Sequence, residues 1–125
     1  MSSINASFAD LRVLVVDDEY LIAMHIQGLA EDLGCIVLGP AATIEEALAI
    51  IKSETVDCVL LDANLHGKSS TPIALELLVK AIPFVVVTGY AELRLDSDAL
   101  EGAPRLSKPF NEMQFEAVMA ATFLG

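Results

Sequence analysis

The chain contains no tryptophan, two cysteines, two histidines, two tyrosines and only seven lysines and arginines in 125 residues. Each shortage excludes a class of function. Two cysteines cannot staple a disulfide-rich scaffold or complete a four-ligand zinc site. His25 and His66 do not stand at metal-ligand spacing. Seven basic against eighteen acidic side chains leave a formal net charge of −11, so the bare surface repels nucleic acid and anionic lipid. No apolar run approaches the roughly 18–20 residues of a membrane span. The stretch Met1 to Leu11 lacks the basic and apolar regions of a secretory signal. The expectation is a cytoplasmic protein with no nucleic-acid partner and no membrane insertion.

What is present suits one apolar core. The length is that of a single domain, and 54% apolar with 20% charged residues is too hydrophobic for a disordered segment. Cys35 and Cys58 lie inside the apolar runs CIVL and CVLL, where a cysteine behaves as a small buried hydrophobe.

After a polar arm, residues 1–10, in which Phe8 is the side chain able to dock on the body, strand-like and helix-like segments alternate. Leu14-Val15-Val16 is a β-branched run closed by the acidic turn Asp17-Asp18-Glu19. Ile22, Ile26, Leu29, Ala30 and Leu33 make a helical stripe over residues 20–33, stopped by Gly34. A second short run, 35–38, is closed by Gly39-Pro40, and Thr43 with Glu46 has the spacing of a capping box. A third run, 58–61, ends at Asp62, and the following segment HGKSS reads as a flexible loop. Thr71 is expected to cap a helix with Pro72 at its first position, running to about residue 81. The fourth run, 84–87, ends at Thr88-Gly89; a weakly periodic helix covers 92–100. A short strand near Arg105-Leu106 ends at Lys108-Pro109, and Asn111 caps a last helix carrying Phe115, Val118, Met119 and Thr122. Apolar strands alternating with helices imply a parallel sheet between two helix layers, with the ligand site beyond the carboxyl ends of the strands.

The residues just past each apolar run are then the informative ones: Asp17-Asp18, Asp62, Thr88 and Lys108. Two like charges about 4 Å apart repel by about 1 kcal/mol in water and by about 4 at an effective dielectric of 20. Converging carboxylates therefore want a cation, and hard oxygen donors select Mg²⁺ or Mn²⁺ over zinc.

In this order, LRVLVVDDE, VLLDANLHG, VVVTGY and LSKPF resemble the motifs of a bacterial response-regulator receiver domain, over nearly the whole of residues 11–125. The resemblance implies a flavodoxin-like (βα)5 doubly wound sheet with strand order 2-1-3-4-5. It also implies a switch phosphorylated by a histidine kinase or a histidine phosphotransfer protein. Asp62 would be the phosphoacceptor. Asp18 would bind Mg²⁺ directly, Asp17 through a water, and the Asn64 carbonyl would be a further ligand. Thr88 and Lys108 would bind the phosphoryl group, helped by the amides following Asp62 and Thr88, those of Ala63 and Gly89, and Pro109 would be cis.

Two positions depart from that pattern. Arg105 stands where receivers usually carry an aromatic switch residue, so it reads as a solvated side chain, and Tyr90 is the ring able to take over. His66 stands where many carry proline, and His25 reads as a surface residue. The Thr88-Gly89-Tyr90 turn after Pro83-Phe84 is partly similar to the FAT GUY subgroup of receivers, with Val86-Val87 replacing Phe-Ala; many of its members stand alone. No output domain is expected after the last helix. The expected output is a phosphorylation-dependent protein-binding switch, or else a phosphate shuttle or sink, with the downstream target undefined. Two competing readings fit less well. An aspartate-nucleophile phosphatase of the haloacid-dehalogenase type wants a second Asp two residues after the first, where Glu19 stands. A flavin mononucleotide module wants a phosphate-binding loop where the acidic turn lies.

Overall fold

The computed structural model describes residues 8–89, 95 and 97–124. Five strands form one parallel sheet: β1 (Arg12–Val16), β2 (Ile36–Ala41), β3 (Cys58–Asp62), β6 (Phe84–Gly89) and β7 (Arg105–Lys108). A two-stranded hairpin, β4 (Asn64–Leu65) and β5 (Lys68–Ser69), interrupts the series. The sheet order is β2-β1-β3-β6-β7, so its strands taken alone run 2-1-3-4-5 as expected.

Both sheet faces are buried, which explains the continuous apolar runs. Successive side chains point to opposite faces. Leu14, Val16, Val59, Leu61, Phe84 and Val86 meet Ala47 and Ile51 of α2 (Ile44–Ser53), Ile73 and Leu77 of α3 (Thr71–Val79) and Leu100 of α4 (Asp98–Glu101). Val13, Val15, Cys58, Leu60, Val85 and Val87 meet Ala23, Ile26 and Ala30 of α1 (Tyr20–Asp32) and Phe115 and Met119 of α5 (Glu112–Met119). Phe8 is fully buried in this second layer. Asn111 and Gln114 form a reciprocal capping box at the start of α5, which runs into a π-helical turn over Ala120–Leu124. Among the described residues no helix is long and apolar enough to cross a membrane.

Local boundaries differ from the sequence expectation in four places. β2 does not close at Gly39-Pro40 but continues to Ala41. It is an edge strand, where a missing proline N–H is tolerated, and its pairing with β1 shifts register between Leu14 and Val16. Gly39 makes this possible at φ +84°: a Cβ there would stand 2.8 Å from the Ala41 nitrogen. HGKSS is not a loose loop: His66 and Gly67, at φ +52° and +80°, are the two-residue turn of the β4–β5 hairpin. The residue before α3 is Ser70 rather than Thr71, and its buried hydroxyl donates to the Asp62 carbonyl instead of capping the helix. The helix expected over 92–100 falls largely on residues outside those described; within them, Ser97 caps the single turn α4.

The core also sets the chemistry of the cysteines. Cys35 and Cys58 are both free and buried. Burial pushes the Cys35 thiol up to about 11 and raises Cys58 as well, so neither carries thiolate at neutral pH. At pH 8 the native protein should react with a chromogenic disulfide reagent only at the rate of structural opening, and both thiols should titrate at once in denaturant. Fast native reaction of either would show that this layer is not closed.

Candidate functional site

Because the sheet is parallel, the carboxyl ends of β1, β3, β6 and β7 lie on one edge, and the polar residues ending each run meet there. Register places Val16 beside Leu61, Asp62 beside Val87 and Gly89 beside Lys108. Asp17, Asp18, Glu19 and Asp62 each offer a carboxylate oxygen, and these four oxygens lie within 4.8 Å of one another. Lys108 reaches into the group: its Nζ lies 3.1 Å from Glu19 Oε1, 3.4 Å from Asp17 Oδ2 and 3.5 Å from Asp62 Oδ2. An open cleft of about 310 Å³ is lined by Asp18, Glu19, Asp62, Asn64, Gly89 and Lys108. Thr88 is buried beside it at the end of β6.

Hydrogen bonds orient three of the acids. Asp17 Oδ1 accepts the Glu19 N–H at 2.8 Å. Asp18 Oδ2 accepts the His66 N–H at 2.9 Å, and the His66 Nδ1 lies 3.5 Å from the same oxygen. Asp62 Oδ1 accepts the Asn64 N–H at 3.2 Å. Here one expectation needs correction. The Ala63 N–H is not free for a ligand: the β3–β6 ladder runs one residue past Asp62, and Ala63 donates to the Val87 carbonyl at 3.2 Å. The amide directed at the Asp62 carboxylate is that of Asn64.

Electrostatics follow from this crowding. Burial, and then the neighbouring Asp17, push the Asp62 carboxyl up to about 7, against the opposing pull of Lys108 and the Asn64 N–H. Burial disfavours the Lys108 ammonium, but Asp62, Glu19 and Asp17 outweigh it and the net shift is upward. Asp17 Oδ2 is buried with no hydrogen-bond partner, its nearest compensation being the ion-pair contact with Lys108. An orphaned, buried carboxylate oxygen among all-oxygen donors fits a hard divalent cation of the Mg²⁺ or Mn²⁺ kind.

The remaining candidates separate from this group. Arg105 is not among the residues lining the cleft and pairs with Glu101 of α4, whose carboxylate also accepts the Leu95 N–H. His25 is exposed and stacks on Phe110, ring centroids 5.5 Å apart. Tyr90 lies outside the described residues. Glu19 is the member that sequence reasoning left unassigned. Its position in the Asp17-Asp18-Glu19 run was the available signal, but nothing in the run says that its longer side chain reaches Lys108.

The raised Asp62 value has a consequence for stability. In the unfolded chain the group titrates near its ordinary value of 3.8. Protonation therefore favours the fold, and this contribution is complete below about pH 4 and lost as pH rises through about 7. In chelator, Asp62→Asn should stabilise the protein at pH 8 on the order of 1–3 kcal/mol, with the gain vanishing towards pH 4. Urea melts across that range check it; a gain independent of pH would contradict the electrostatic origin.

Known proteins carry the same arrangement of elements. The phyllosphere-induced regulator PhyR of Methylorubrum extorquens is 35% identical over 112 residues, which are 87% of this chain and 42% of that protein. The solution structure of SdrG from Sphingomonas melonis Fr1 matches with a TM-score of 0.80 at 34% identity, covering 94% of this chain and 98% of SdrG. The crystal structure of a PhyR mutant from Bartonella quintana, described as an anti-anti-sigma factor, matches at 0.77 and 29% identity, covering 89% of this chain and 47% of that one. The chain spans half or less of the length of the curated relatives it matches. The response regulator receiver domain is matched over residues 13–120. With that match across most of its length, the chain belongs to the response regulator receiver domain family.

Proposed function

We propose that this chain, as a receiver domain over residues 11–125 preceded by the arm 1–10, accepts a phosphoryl group on Asp62 from a histidine kinase or histidine phosphotransfer protein. The observation that carries the reading is the placement of Lys108 Nζ 3.5 Å from Asp62 Oδ2 in an open cleft, with the buried Asp17 alongside. A carboxylate oxygen of Asp62 forms a P–O bond as the P–N bond of the donor phosphohistidine breaks; the donor ring, protonated on its other nitrogen, keeps that electron pair and leaves as neutral imidazole. With a small acyl phosphate the bond broken is P–O. Such transfer is mostly positioning and charge stabilisation.

The chain's own residues supply both. Asp18 and the Asn64 carbonyl would hold Mg²⁺ or Mn²⁺ directly, and Asp17 through a water. The cation, when bound, neutralises phosphoryl charge during the approach of one anion to another. Lys108 supplies the second positive charge from the β7 side. The Thr88 hydroxyl and the Gly89 N–H, at the end of β6, donate to phosphoryl oxygens, and the Asn64 N–H replaces Ala63 in that role. The donor's surface must tolerate the net charge of −11, which favours a partner with basic residues around its histidine.

On this reading the domain is a signalling switch rather than an enzyme with a separate substrate; it catalyses only its own phosphorylation and hydrolysis. Output by protein binding is supported by the likeness to PhyR, one relative of which is described as an anti-anti-sigma factor. A phosphate shuttle or sink remains the second form of output, favoured by the openness of the cleft to a returning donor. Arg105, tied to Glu101, is read as an anchor between β7 and α4 that replaces the usual aromatic switch.

Asp62→Asn should abolish labelling by acetyl phosphate with Mg²⁺, as read by a phosphate-affinity gel; labelling equal to wild type would overturn the assignment. Lys108→Ala should retain Mg²⁺ binding while losing the conformational response to phosphorylation, read as amide shifts around β6 and β7. The same shifts in variant and wild type would remove Lys108 as the transmitting group.

A further inference from the structure

We infer that Glu19 is a positioning residue that competes with the incoming phosphoryl group for Lys108, and so sets the rate at which Asp62 is phosphorylated; the inference rests on the reading of Asp62 as phosphoacceptor. A lysine ammonium has three N–H donors. Two carboxylates accept from it, Glu19 Oε1 at 3.1 Å and Asp62 Oδ2 at 3.5 Å, while Asp17 Oδ2 stands 3.4 Å away in an ion-pair contact. A phosphoryl group on Asp62 inherits that residue's contact and draws the ammonium further towards β3, away from one of its other two partners.

Burial decides which. The Asp17 side chain is 0% exposed and that of Asp62 9%, so neither can exchange the ammonium for solvent. The Glu19 side chain is 59% exposed, and water replaces Lys108 there at little cost. Glu19 also has no competing task in its own helix: it occupies the N-cap position of α1, and its side chain makes no capping hydrogen bond. It is therefore the closest partner of Lys108 and the one most easily left. While it holds the ammonium, part of the charge that the transfer needs is directed away from Asp62.

Two variants separate contact from charge. Glu19→Gln removes both the ionic contact and the negative charge. Glu19→Asp keeps the charge but shortens the side chain by a methylene, so that it no longer reaches Lys108. Both should raise the rate of phosphorylation by acetyl phosphate roughly 3- to 10-fold, the size expected for loss of one solvent-exposed charge-assisted hydrogen bond. In the unphosphorylated proteins, the Lys108 Nζ resonance should shift alike in both variants. Mg²⁺ affinity, followed by metal-dependent thermal stabilisation, should be unchanged in Glu19→Asp.

Acceleration by Glu19→Gln alone would assign the effect to general repulsion of the anionic donor and overturn the inference. Unchanged rates in both variants, or a loss of Mg²⁺ affinity in Glu19→Asp, would also overturn it. Asp62→Asn measured in parallel separates the two levels: persistent labelling there removes the phosphoacceptor reading itself, whereas lost labelling with unaltered Glu19 variants removes only the role of Glu19.

Discussion

The mutual repulsion of Asp17, Asp18, Glu19 and Asp62, whose carboxylate oxygens crowd within 4.8 Å, is answered, among the described residues, by the ammonium of Lys108. Left alone, such a group would spread apart or take up protons, and the upward displacement of Asp62, caused first by burial and then by the Asp17 charge, is a response of the second kind. The site is thus held in a state that a divalent cation relieves and a proton partly relieves. Its affinity for positive charge is a property of geometry, because any one of these acids on an exposed loop would simply be solvated.

Holding like charges together requires a scaffold that does not yield. The two apolar layers on either face of the sheet supply it, with Leu14, Leu61 and Val86 on one side and Val15, Leu60 and Val87 on the other, all buried to within a few per cent. Such close-packed β-branched and leucine side chains leave the strand ends little freedom. The loops over the site are fixed as well. The Ser70 hydroxyl on the Asp62 carbonyl and the His66 N–H on Asp18 tie the β4–β5 hairpin to both acidic strands.

A hierarchy of exposure runs through the cluster. Asp17 is sealed, Asp62 opens to the cleft only at its edge, and Glu19 stands mostly in water. Lys108 bridges these three environments, so a change of charge at Asp62 alters the balance of its contacts first with the group that solvent compensates best. On the neighbouring edge, Arg105 and Glu101 join β7 to α4 by an ion pair where an aromatic ring would have offered only packing. A polar contact of this kind responds to charge and to salt more than ring packing does.

Much of the fold was legible because burial on both faces writes continuous apolar runs such as VLVV and CVLL, and because a parallel sheet must end those runs on one edge. Asp17, Asp18, Asp62, Thr88, Gly89 and Lys108 could be named from their place just after each run. The misread segments were those in which backbone geometry outweighed side-chain pattern. Gly39 and the His66-Gly67 turn use left-handed conformations that let a strand bulge and a hairpin form where polar composition suggested a stop or a loop. By itself the sequence determined the element order, the two-layer architecture and which reactive groups end each strand, since these depend on hydrophobic period and chain connectivity. Only the tertiary structure decided that Glu19 reaches Lys108, that Asn64 rather than Ala63 offers its amide, and that a buried Asp17 oxygen lacks a hydrogen bond. Those depend on how segments far apart in the chain are set against one another in space, which no local pattern encodes.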